Sequence, residues 1–380
     1  MSPGPTPRVP GTERGALAAS TRYFESFVWN TVAKFGDFGL AYLFSVLLAR
    51  MLAPAGYGTY ASILSLATLV FVFTSIGIDN TIHRFVGRAT ADVETAREIP
   101  SLVRLLFVVR LALIAVLVAA VLFARQWIAA RFADESLAPM IAVTSLYLVG
   151  QSLVSFAASV LTGFLRTRAV AGFTLALRLA NLVLAYVLLS SGAGVPEIML
   201  MLGVTSAALF VSYLWKLLPI FRGPPAPIDR RAVLSFALVA WGLAAVNFGL
   251  GKQSDVILLN AIRHNRTEVA LYDVAYTLTQ TVAMLLTVGL SGLSLALFSK
   301  RYGGRPEGLG TIWESFVVLV GTAVLPLVLF LVVNARACIV AVYGVDYQAA
   351  GALLPLFAAP MLVNWAVGGG ASSTALHAAN

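Results

Sequence analysis

Ten continuous apolar segments run through this chain, and each is long enough to cross a lipid bilayer as a helix. A spanning helix needs about 20 mostly apolar residues, because the hydrocarbon core of a bilayer is about 30 Å thick. Only 11% of the residues are charged, compared with about 25% in an average soluble domain. The strands of a membrane barrel would instead alternate apolar and polar residues. We therefore predict an all-α polytopic membrane protein of about ten transmembrane helices, at 27–50, 58–78, 102–124, 137–161, 169–190, 196–218, 233–262, 268–298, 311–334 and 350–376.

The basic residues are concentrated in alternate loops. The chain has 26 lysines and arginines and a net charge of +9, and 16 of the 26 lie in five segments at 1–26, 79–104, 162–168, 216–231 and 299–310. Cytoplasmic loops of membrane proteins carry such an excess. The asymmetry predicts a cytoplasmic N-terminus, with the loops near Asp134 and Asp346 outside. It argues against a nucleic acid partner, since no basic patch with interleaved aromatic residues lies outside the spans.

Residues that carry enzymatic or metal chemistry are sparse. Cys338 is the single cysteine, which excludes an internal disulfide. The three histidines, His83, His264 and His377, lack the spacing of metal ligands. The sequence contains neither a Walker loop nor a nucleophile elbow. It therefore predicts no cofactor, no metal and no ATP hydrolysis, and it favours a secondary transporter over an enzyme.

A segment rich in proline and arginine, PIFRGPPAPIDRR at 219–231, divides the predicted spans into six and four. A shift of 212 residues aligns landmarks of the two halves, including Tyr60 with Tyr272. Because six is an even number, both halves begin on the same side of the membrane, as in transporters built from parallel repeats. The predicted units are a cytoplasmic tail at 1–26 in which 13–26 can form an interfacial helix, an N-terminal six-helix bundle at 27–218, a cytoplasmic linker at 219–232 and a C-terminal four-helix bundle at 233–380.

The repeat also sets an expectation for the C-terminal bundle. The same shift maps the fifth and sixth spans to 381–402 and 408–430, beyond the last residue of the sequence. The second bundle is therefore expected to be incomplete, and a longer form of the protein is expected to carry at least two further helices.

Four basic and two acidic residues stand out inside the predicted spans, where a charge costs roughly 2.5–3.5 kcal/mol on insertion scales. Lys34 and Asp37 are three residues apart and share a helical face. They can neutralise each other, or they can form a cation or headgroup site in a central cavity. Arg110 and Arg178 can snorkel or pair structurally. Alternatively they can bind an anion, for which the planar guanidinium offers two parallel hydrogen bonds.

The other two charges lie in NFGLGKQSDVILLN at 247–260, a segment too polar for a helix that faces lipid. Gly249 and Gly251 flank Leu250, and Lys252 and Asp255 follow. Broken helices in transporters present such unwound segments to a cavity. We expect a local break here, with Lys252 and Asp255 acting together as counter-charges or in ion coupling.

Three stretches resemble the Wzx-type O-antigen exporters, the polysaccharide-flippase branch of the multidrug/oligosaccharidyl-lipid/polysaccharide (MOP) exporter superfamily. The first, at 49–88, begins ARMLAPAGYGTY and continues into the second span. The others are QSDVILLNAIRHNRTEVALYDVAYTL at 253–278 and VYGVDYQAAGALLPLFA at 342–358. LTGFLRTR at 161–168 also fits the family pattern, so the resemblance covers nearly the whole chain.

The resemblance implies two six-helix bundles around a cavity, in a protein of the cell (inner) membrane. Such proteins translocate an undecaprenyl-diphosphate-linked oligosaccharide or polysaccharide precursor by alternating access, usually driven by an ion gradient. The family often lines its cavity with basic residues that meet the diphosphate, and the candidates that match by position are Lys34, Arg110, Arg178 and Lys252. Asp37 and Asp255 would supply ion coupling or counter-charges. The implied partners are the lipid-linked substrate and membrane lipid, with a polysaccharide polymerase and glycosyltransferases as further candidates.

Three alternative functions stay open at this point. A multidrug-type cation-coupled antiporter of the same superfamily would need an acidic cavity, whereas four bases accompany two acids among the six residues above. A membrane-embedded acyltransferase or glycosyltransferase would need a clustered catalytic acid or histidine at a membrane face. A scaffold that transports nothing would tolerate neutralisation of every buried charge.

Overall fold

The computed structural model describes residues 10–75, 77–89, 96–132, 134–164, 166–249, 251–302, 318, 321–322 and 325–366. The regular structure within these ranges is helical and contains no strand, so the all-α prediction is confirmed. The helices are α1 Pro10–Ser75, α2 Ile78–Ala89, α3 Ile99–Arg131, α4 Leu137–Gly163, α5 Thr167–Ser190, α6 Val195–Phe221, α7 Arg230–Gly249, α8 Lys252–Arg263, α9 Arg266–Tyr302, α10 Leu325–Val333, α11 Ala335–Tyr343, a 3-10 helix Val345–Ala352 and α12 Leu354–Ala366.

The first helix, α1, is a hairpin of two antiparallel limbs. Ala53 has a positive φ of 56° and departs from helical geometry, and the following Pro54 lacks the N–H that a continuous helix would use. The hydroxyl groups of Ser45 and Tyr57 lie 2.7 Å apart. Twelve residues of unbroken helix would place their Cα atoms about 18 Å apart, too far for the side chains to meet. The two limbs therefore correspond to the first and second predicted spans.

The next four predicted spans are found as helices with similar bounds. Helices α3 to α6 cover the segments predicted at 102–124, 137–161, 169–190 and 196–218. By length and apolar composition, five helices of the described chain can cross a membrane, with the hairpin α1 counted once, or six if α10 and α11, bent by 81°, form one span. The predicted count of ten is therefore not confirmed. The segment predicted at 311–334 lies mostly outside the described residues, as does the end of the one at 350–376.

The span predicted at 233–262 is interrupted between α7 and α8. Helix α7 ends at Gly249 and α8 begins at Lys252, with Gly251 extended at φ −104° and ψ 166°. Glycine destabilises a helix interior because it has more backbone freedom to lose than other residues. The break confirms the interpretation of 247–260 as a locally unwound segment.

Three regions predicted as loops or tails are more helical than expected. Helix α6 continues to Phe221 and α7 begins at Arg230, so the linker predicted at 219–232 is shorter. Residues 1–9 of the predicted tail lie outside the described chain, and the stretch at 13–26 is continuous with α1 rather than a separate interfacial helix. The predicted outer loop near Asp346 contains α11 and the 3-10 helix.

Both halves of the molecule open with the same helix–turn–helix arrangement. The turns lie at Ala53 and His264, the two residues other than glycine that have positive φ in the described chain. Their separation is within one residue of the 212-residue shift that aligns the two halves of the sequence. The backbone therefore supports the predicted parallel repeat.

The segments predicted to be outside pack together at one end and join the two halves there. The Arg50 guanidinium donates to the carbonyl oxygens of Ala341 and Val342, at 2.6 and 2.7 Å. Arg266 forms an ion pair with Asp134. Gly58 lies so close to Arg266 that an added Cβ would come within 1.8 Å of the Arg266 carbonyl oxygen, which only glycine avoids. These contacts hold the first half against α9 and α11 on one side of a central cavity.

Candidate substrate cavity

A cavity of about 520 Å³ lies between the two halves. Both limbs of α1 and helices α4, α5 and α6 line it from the first half, and α8 and α9 line it from the second. Its polar lining combines phenol hydroxyls, amides, short hydroxyls and two ion pairs, from Tyr57, Tyr60, Tyr147, Gln151, Asn181, Thr277, Asp37, Arg178, Lys252 and Asp273. Concave sites with a few convergent polar groups among apolar walls are the usual places for ligands.

The first ion pair joins Arg178 on α5 to Asp37 on the first limb of α1. The Arg178 Nε donates to Asp37 Oδ1 at 2.6 Å, and each side chain is 37% exposed. The terminal nitrogens of the guanidinium make no hydrogen bond to any other described residue. Two N–H-bearing groups of Arg178 are therefore available to a ligand in the cavity.

The second ion pair joins Lys252, at the start of α8, to Asp273 on α9. The Lys252 Nζ lies 2.7 Å from Asp273 Oδ1 and donates to the Thr277 hydroxyl at 2.9 Å. The other carboxylate oxygen of Asp273 accepts a hydrogen bond from the Tyr57 hydroxyl at 2.9 Å. Because Tyr57 belongs to the first half, this network crosses the cavity and connects the halves.

The predicted pairing of Lys252 with Asp255 is wrong. Asp255 is exposed and accepts a hydrogen bond from the Tyr272 hydroxyl at 2.5 Å. Both residues lie in the first turn of α8, but Lys252 pairs with Asp273 on α9, and Asp255 bonds to Tyr272 on that same helix. Asp255 therefore does not line the cavity.

Sequence reasoning missed Asp273, which is 5% exposed and completes the second pair. It lies inside the span predicted at 268–298, where an ionisable residue is costly and normally marks an internal partner or a functional site. That position was a signal that could have identified it. Within the described lining, two cations face two carboxylates, so the ratio of four bases to two acids does not hold in the cavity.

Lys34 lies beside the cavity rather than in it. Its side chain is exposed and lines a smaller pocket of about 140 Å³. The other residues of that pocket are Asp37 on α1, Thr162 on α4, and Thr167, Val170, Ala171 and Thr174 on α5. The two pockets share Asp37. The described partner of Asp37 is Arg178, so Lys34 and Asp37 do not form the predicted pair.

Arg110 lies away from the cavity, in the packed interior of the N-terminal half. Its side chain has 0% exposure, and it donates through Nε to the Ser152 hydroxyl at 2.8 Å and through a terminal nitrogen to the Ser152 carbonyl at 3.0 Å. Its other terminal nitrogen lies 3.6 Å from Asp79 Oδ1, a charge contact too long for a hydrogen bond. The guanidinium also faces the Phe71 ring at 5.6 Å. Asp79 therefore reaches Arg110 from α2, which corresponds to the structural pairing that the sequence left open, and Arg110 does not line the cavity as the resemblance implied.

One further polar group in the cavity has an unused hydrogen-bonding atom. Asn181 is 4% exposed and lies one turn beyond Arg178 on α5. Its Oδ1 has no hydrogen-bond partner in the described protein. A buried acceptor without a partner costs free energy, so Asn181 is poised to accept a bond from a ligand or from water.

Comparison with known proteins places the chain by family and by fold. The model of the family described as polysaccharide biosynthesis protein matches residues 47–351. No curated protein matches the chain.

Among described residues, no group of three or more His, Cys, Asp or Glu side chains could hold a metal ion.

Two solved structures have a similar fold. One is an inward-facing multidrug resistance MATE family transporter of the MOP superfamily, with a TM-score of 0.65 and 15% identity, covering 92% of this chain and 81% of that one. The other is the eukaryotic MATE transporter AtDTX14, with a TM-score of 0.62 and 12% identity, covering 93% of this chain and 83% of that one. At these identities the likeness concerns the fold alone. The chain therefore belongs to the polysaccharide biosynthesis protein family and is built on a MATE-like transporter fold.

Proposed function

We propose that this protein is a secondary exporter of the cell (inner) membrane that translocates a lipid-linked oligosaccharide or polysaccharide precursor by alternating access. The undecaprenyl-diphosphate headgroup would occupy the cavity between the two halves, and the N-terminus would be cytoplasmic. The family match and the transporter fold support export over catalysis.

The observation that carries the proposal is the unused part of the Arg178 guanidinium. Among the described residues, Arg178 is engaged only through Nε, by Asp37, and it lies on the wall of the cavity. Arginine binds phosphate through two parallel charge-assisted hydrogen bonds, and the free terminal nitrogens provide that geometry. A headgroup phosphate can therefore bind Arg178 without first separating it from Asp37.

Lys252 is the second proposed contact to the diphosphate. Its ammonium group is a point charge that can turn from Asp273 toward a phosphate oxygen, since lysine has no fixed fork. Asp273 would then lose its cation, and it would need a proton or a metal cation in return. We propose that this exchange, together with the Asp37 counter-charge, couples substrate binding to an ion gradient.

The sugar would lie against the remaining polar lining. Tyr60 and Tyr147 offer ring faces and hydroxyls, and Gln151 and Asn181 offer amides. The free Oδ1 of Asn181 would accept a bond from a sugar hydroxyl. Lys34 would act at the edge of the cavity, while Arg110 and Asp255 would not contact the substrate because neither lines the cavity.

Translocation by the purified protein in proteoliposomes tests this function. An undecaprenyl-diphosphate oligosaccharide labelled on its sugar is placed in both leaflets, and an impermeant quencher reports which leaflet it occupies. We expect the protein to move label between leaflets faster than in protein-free vesicles. Movement no faster than in protein-free vesicles, under an imposed proton or sodium gradient of either direction, would exclude the proposed function.

A multidrug-type cation-coupled antiporter is the second candidate, and the balance of charge in the cavity favours retaining it. Asp37 and Asp273 match Arg178 and Lys252 one to one, so a cationic drug could pair with a carboxylate as readily as a phosphate could pair with a base. Vesicles loaded with ethidium discriminate between the two. Gradient-driven ethidium exchange without movement of the lipid-linked oligosaccharide would identify the antiporter.

A further inference from the structure

A second concave site, distinct from the central cavity, lies between α5 and α6. It is an open groove of about 760 Å³ whose floor is apolar, formed by Leu161, Ala169, Gly172, Phe173 and Ala176. Three cations, Arg166, Arg168 and Lys216, complete its lining, which includes no carboxylate among the described residues. The groove thus combines an apolar channel with a strongly positive rim.

Within the described part of the chain, the three cations are not neutralised by carboxylates. None of them forms an ion pair with a carboxylate in the described chain, where the salt bridges use other basic residues. The one described partner is aromatic: the Arg168 guanidinium lies 5.2 Å from the centroid of the Trp29 ring. Three unneutralised cations around one groove attract an anion.

Tryptophans mark the depth of the groove in the membrane. Trp29 contacts Arg168, and Trp215, which is 74% exposed, precedes Lys216 on α6. Exposed tryptophans concentrate at the level of the lipid headgroups. All three cations come from segments predicted to be cytoplasmic, so the groove lies at the headgroup level of the predicted cytoplasmic leaflet.

The groove faces lipid, and the cavity lies on the opposite side of α5. Ala169, Gly172, Phe173 and Ala176 follow the helical spacing of one face, whereas Thr174, Arg178 and Asn181 line the cavity. Farther along the groove face, Leu179, Val183 and Val187 are 51%, 60% and 54% exposed. An apolar stripe therefore runs from the cationic rim toward the membrane centre, which matches an acyl chain below an anionic headgroup.

We propose that this groove binds an anionic phospholipid of the membrane, with its phosphate among Arg166, Arg168 and Lys216 and an acyl chain along α5. The apolar stripe favours a lipid over a free phosphate, because a free phosphate has no acyl chain to pack against it. The site is separate from the proposed substrate cavity, and its occupant does not depend on what the cavity transports.

Competition binding in detergent tests the site. The purified protein is titrated with fluorescent phosphatidylglycerol, and unlabelled phosphatidylglycerol, phosphatidylcholine, glycerol phosphate and undecaprenyl diphosphate compete for it. Phosphatidylglycerol should compete at least tenfold better than phosphatidylcholine, which lacks the net charge, and than glycerol phosphate, which lacks the chains. Equal competition by glycerol phosphate would identify a plain anion site, and stronger competition by undecaprenyl diphosphate would identify a substrate site; either result overturns the proposal.

Two variants with different effects on the groove locate the binding. The first variant removes the rim by combining Arg166→Gln, Arg168→Gln and Lys216→Gln. Since each cation near an anionic lipid contributes about fivefold, affinity should fall by about a hundredfold if the three add, and by at least about tenfold. Gly172→Leu fills the groove without changing charge, because a Cβ there meets no atom within 4 Å; affinity should again fall.

A matched triple variant controls for charge. The control combines Arg222→Gln, Arg230→Gln and Arg231→Gln. It removes an equal number of positive charges from exposed positions on the same predicted face of the membrane, outside the groove. Its affinity should stay within about threefold of that of the wild type, in line with the general effect of charge. An equal loss in both triple variants, or full binding by Gly172→Leu, would contradict the assignment of the groove.

Discussion

Arg110 and Arg178 are both arginines of predicted membrane spans in the N-terminal half, and their surroundings are opposite. Arg110 has 0% exposure, and all its described contacts are to the protein: Ser152, Asp79 and the Phe71 ring. Arg178 is 37% exposed, lines the cavity and uses only one nitrogen for its carboxylate. Both carry the same charge within the same half, so the difference lies in the guanidinium donors that remain without a described partner.

The comparison teaches that a charge inside the membrane does not by itself mark a binding site. A buried ion pair adds little net stability, yet removing one partner is costly because the other charge is left without compensation. Arg110 fits that description, and its contacts join α2, α3 and α4. Arg178 keeps donors that face a cavity, so its role is open to a ligand.

The largest expected effect comes from breaking the Arg110 contacts. Arg110→Ala leaves Asp79 without its cation and the Ser152 carbonyl without its donor, and it should lower stability by about 3 kcal/mol, at the lower end of the range for buried pairs since Asp79 is 22% exposed. Unfolding in mixed micelles of increasing denaturing detergent measures the change. A stability equal to that of the wild type would show that Arg110 is not structural.

Arg178→Ala should separate binding from folding. Loss of charge-assisted hydrogen bonds worth about 1.5–3 kcal/mol should weaken headgroup binding about tenfold or more, while the unfolding transition changes little, because the pair is partly exposed. Arg178→Lys should restore binding only in part, since lysine keeps the charge and loses the fork. Translocation rates in proteoliposomes report the effect, and a full rate in Arg178→Ala would remove this residue from the site.

A double variant sharpens the comparison on the other wall of the cavity. Lys252→Gln alone leaves Asp273, which is buried, without its cation and should reduce the yield of folded protein. Adding Asp273→Asn removes the stranded charge and should restore the yield, whereas headgroup binding stays several-fold weaker. If the double variant binds the headgroup as well as the wild type, Lys252 is a structural residue like Arg110.

Asn181→Leu should produce a smaller effect. The free Oδ1 of Asn181 can contribute one hydrogen bond to a sugar, worth about 1 kcal/mol net. We expect about a fivefold loss of affinity for an oligosaccharide-bearing substrate and none for undecaprenyl diphosphate without sugar. Equal loss for both ligands would place Asn181 at the diphosphate instead.

Asp255→Asn should have the smallest effect and serves as the control. Asp255 is exposed, does not line the cavity, and can still accept the Tyr272 hydroxyl bond as asparagine. Stability should change by less than about 0.5 kcal/mol, with an unchanged translocation rate. A clear loss of transport would return Asp255 to the coupling role that the sequence first suggested.

The helices were predictable from the sequence where the signal is local. Continuous apolar runs between loops determined α3 to α6 closely, and the paired glycines at 249 and 251 indicated the break in the helix. The repeat in the sequence corresponds to the turns at Ala53 and His264. The apolar runs, the helix break and each of the two turns depend on residues that are neighbours in the chain, and the repeat was found by comparing one half of the sequence with the other.

The partners of the charged residues were not predictable in this way. Asp37 and Arg178 are separated by 141 positions, and Asp79 reaches Arg110 from a different helix, so both pairs depend on how the helices pack. Spacing along one helix suggested Lys34 with Asp37 and Lys252 with Asp255, and packing replaced both. The sequence therefore identified four residues at or beside the cavity, missed Asp273, and assigned Arg110 to a site that it does not line.

Equilibrium binding of undecaprenyl diphosphate to the purified protein in nanodiscs tests the central claim most directly. Wild type and Arg178→Gln are titrated side by side, with Asp255→Asn as the control, after all three show the same unfolding transition. We predict at least about tenfold weaker binding by Arg178→Gln and wild-type binding by Asp255→Asn. Equal affinity in wild type and Arg178→Gln would contradict the claim that Arg178 is the headgroup ligand.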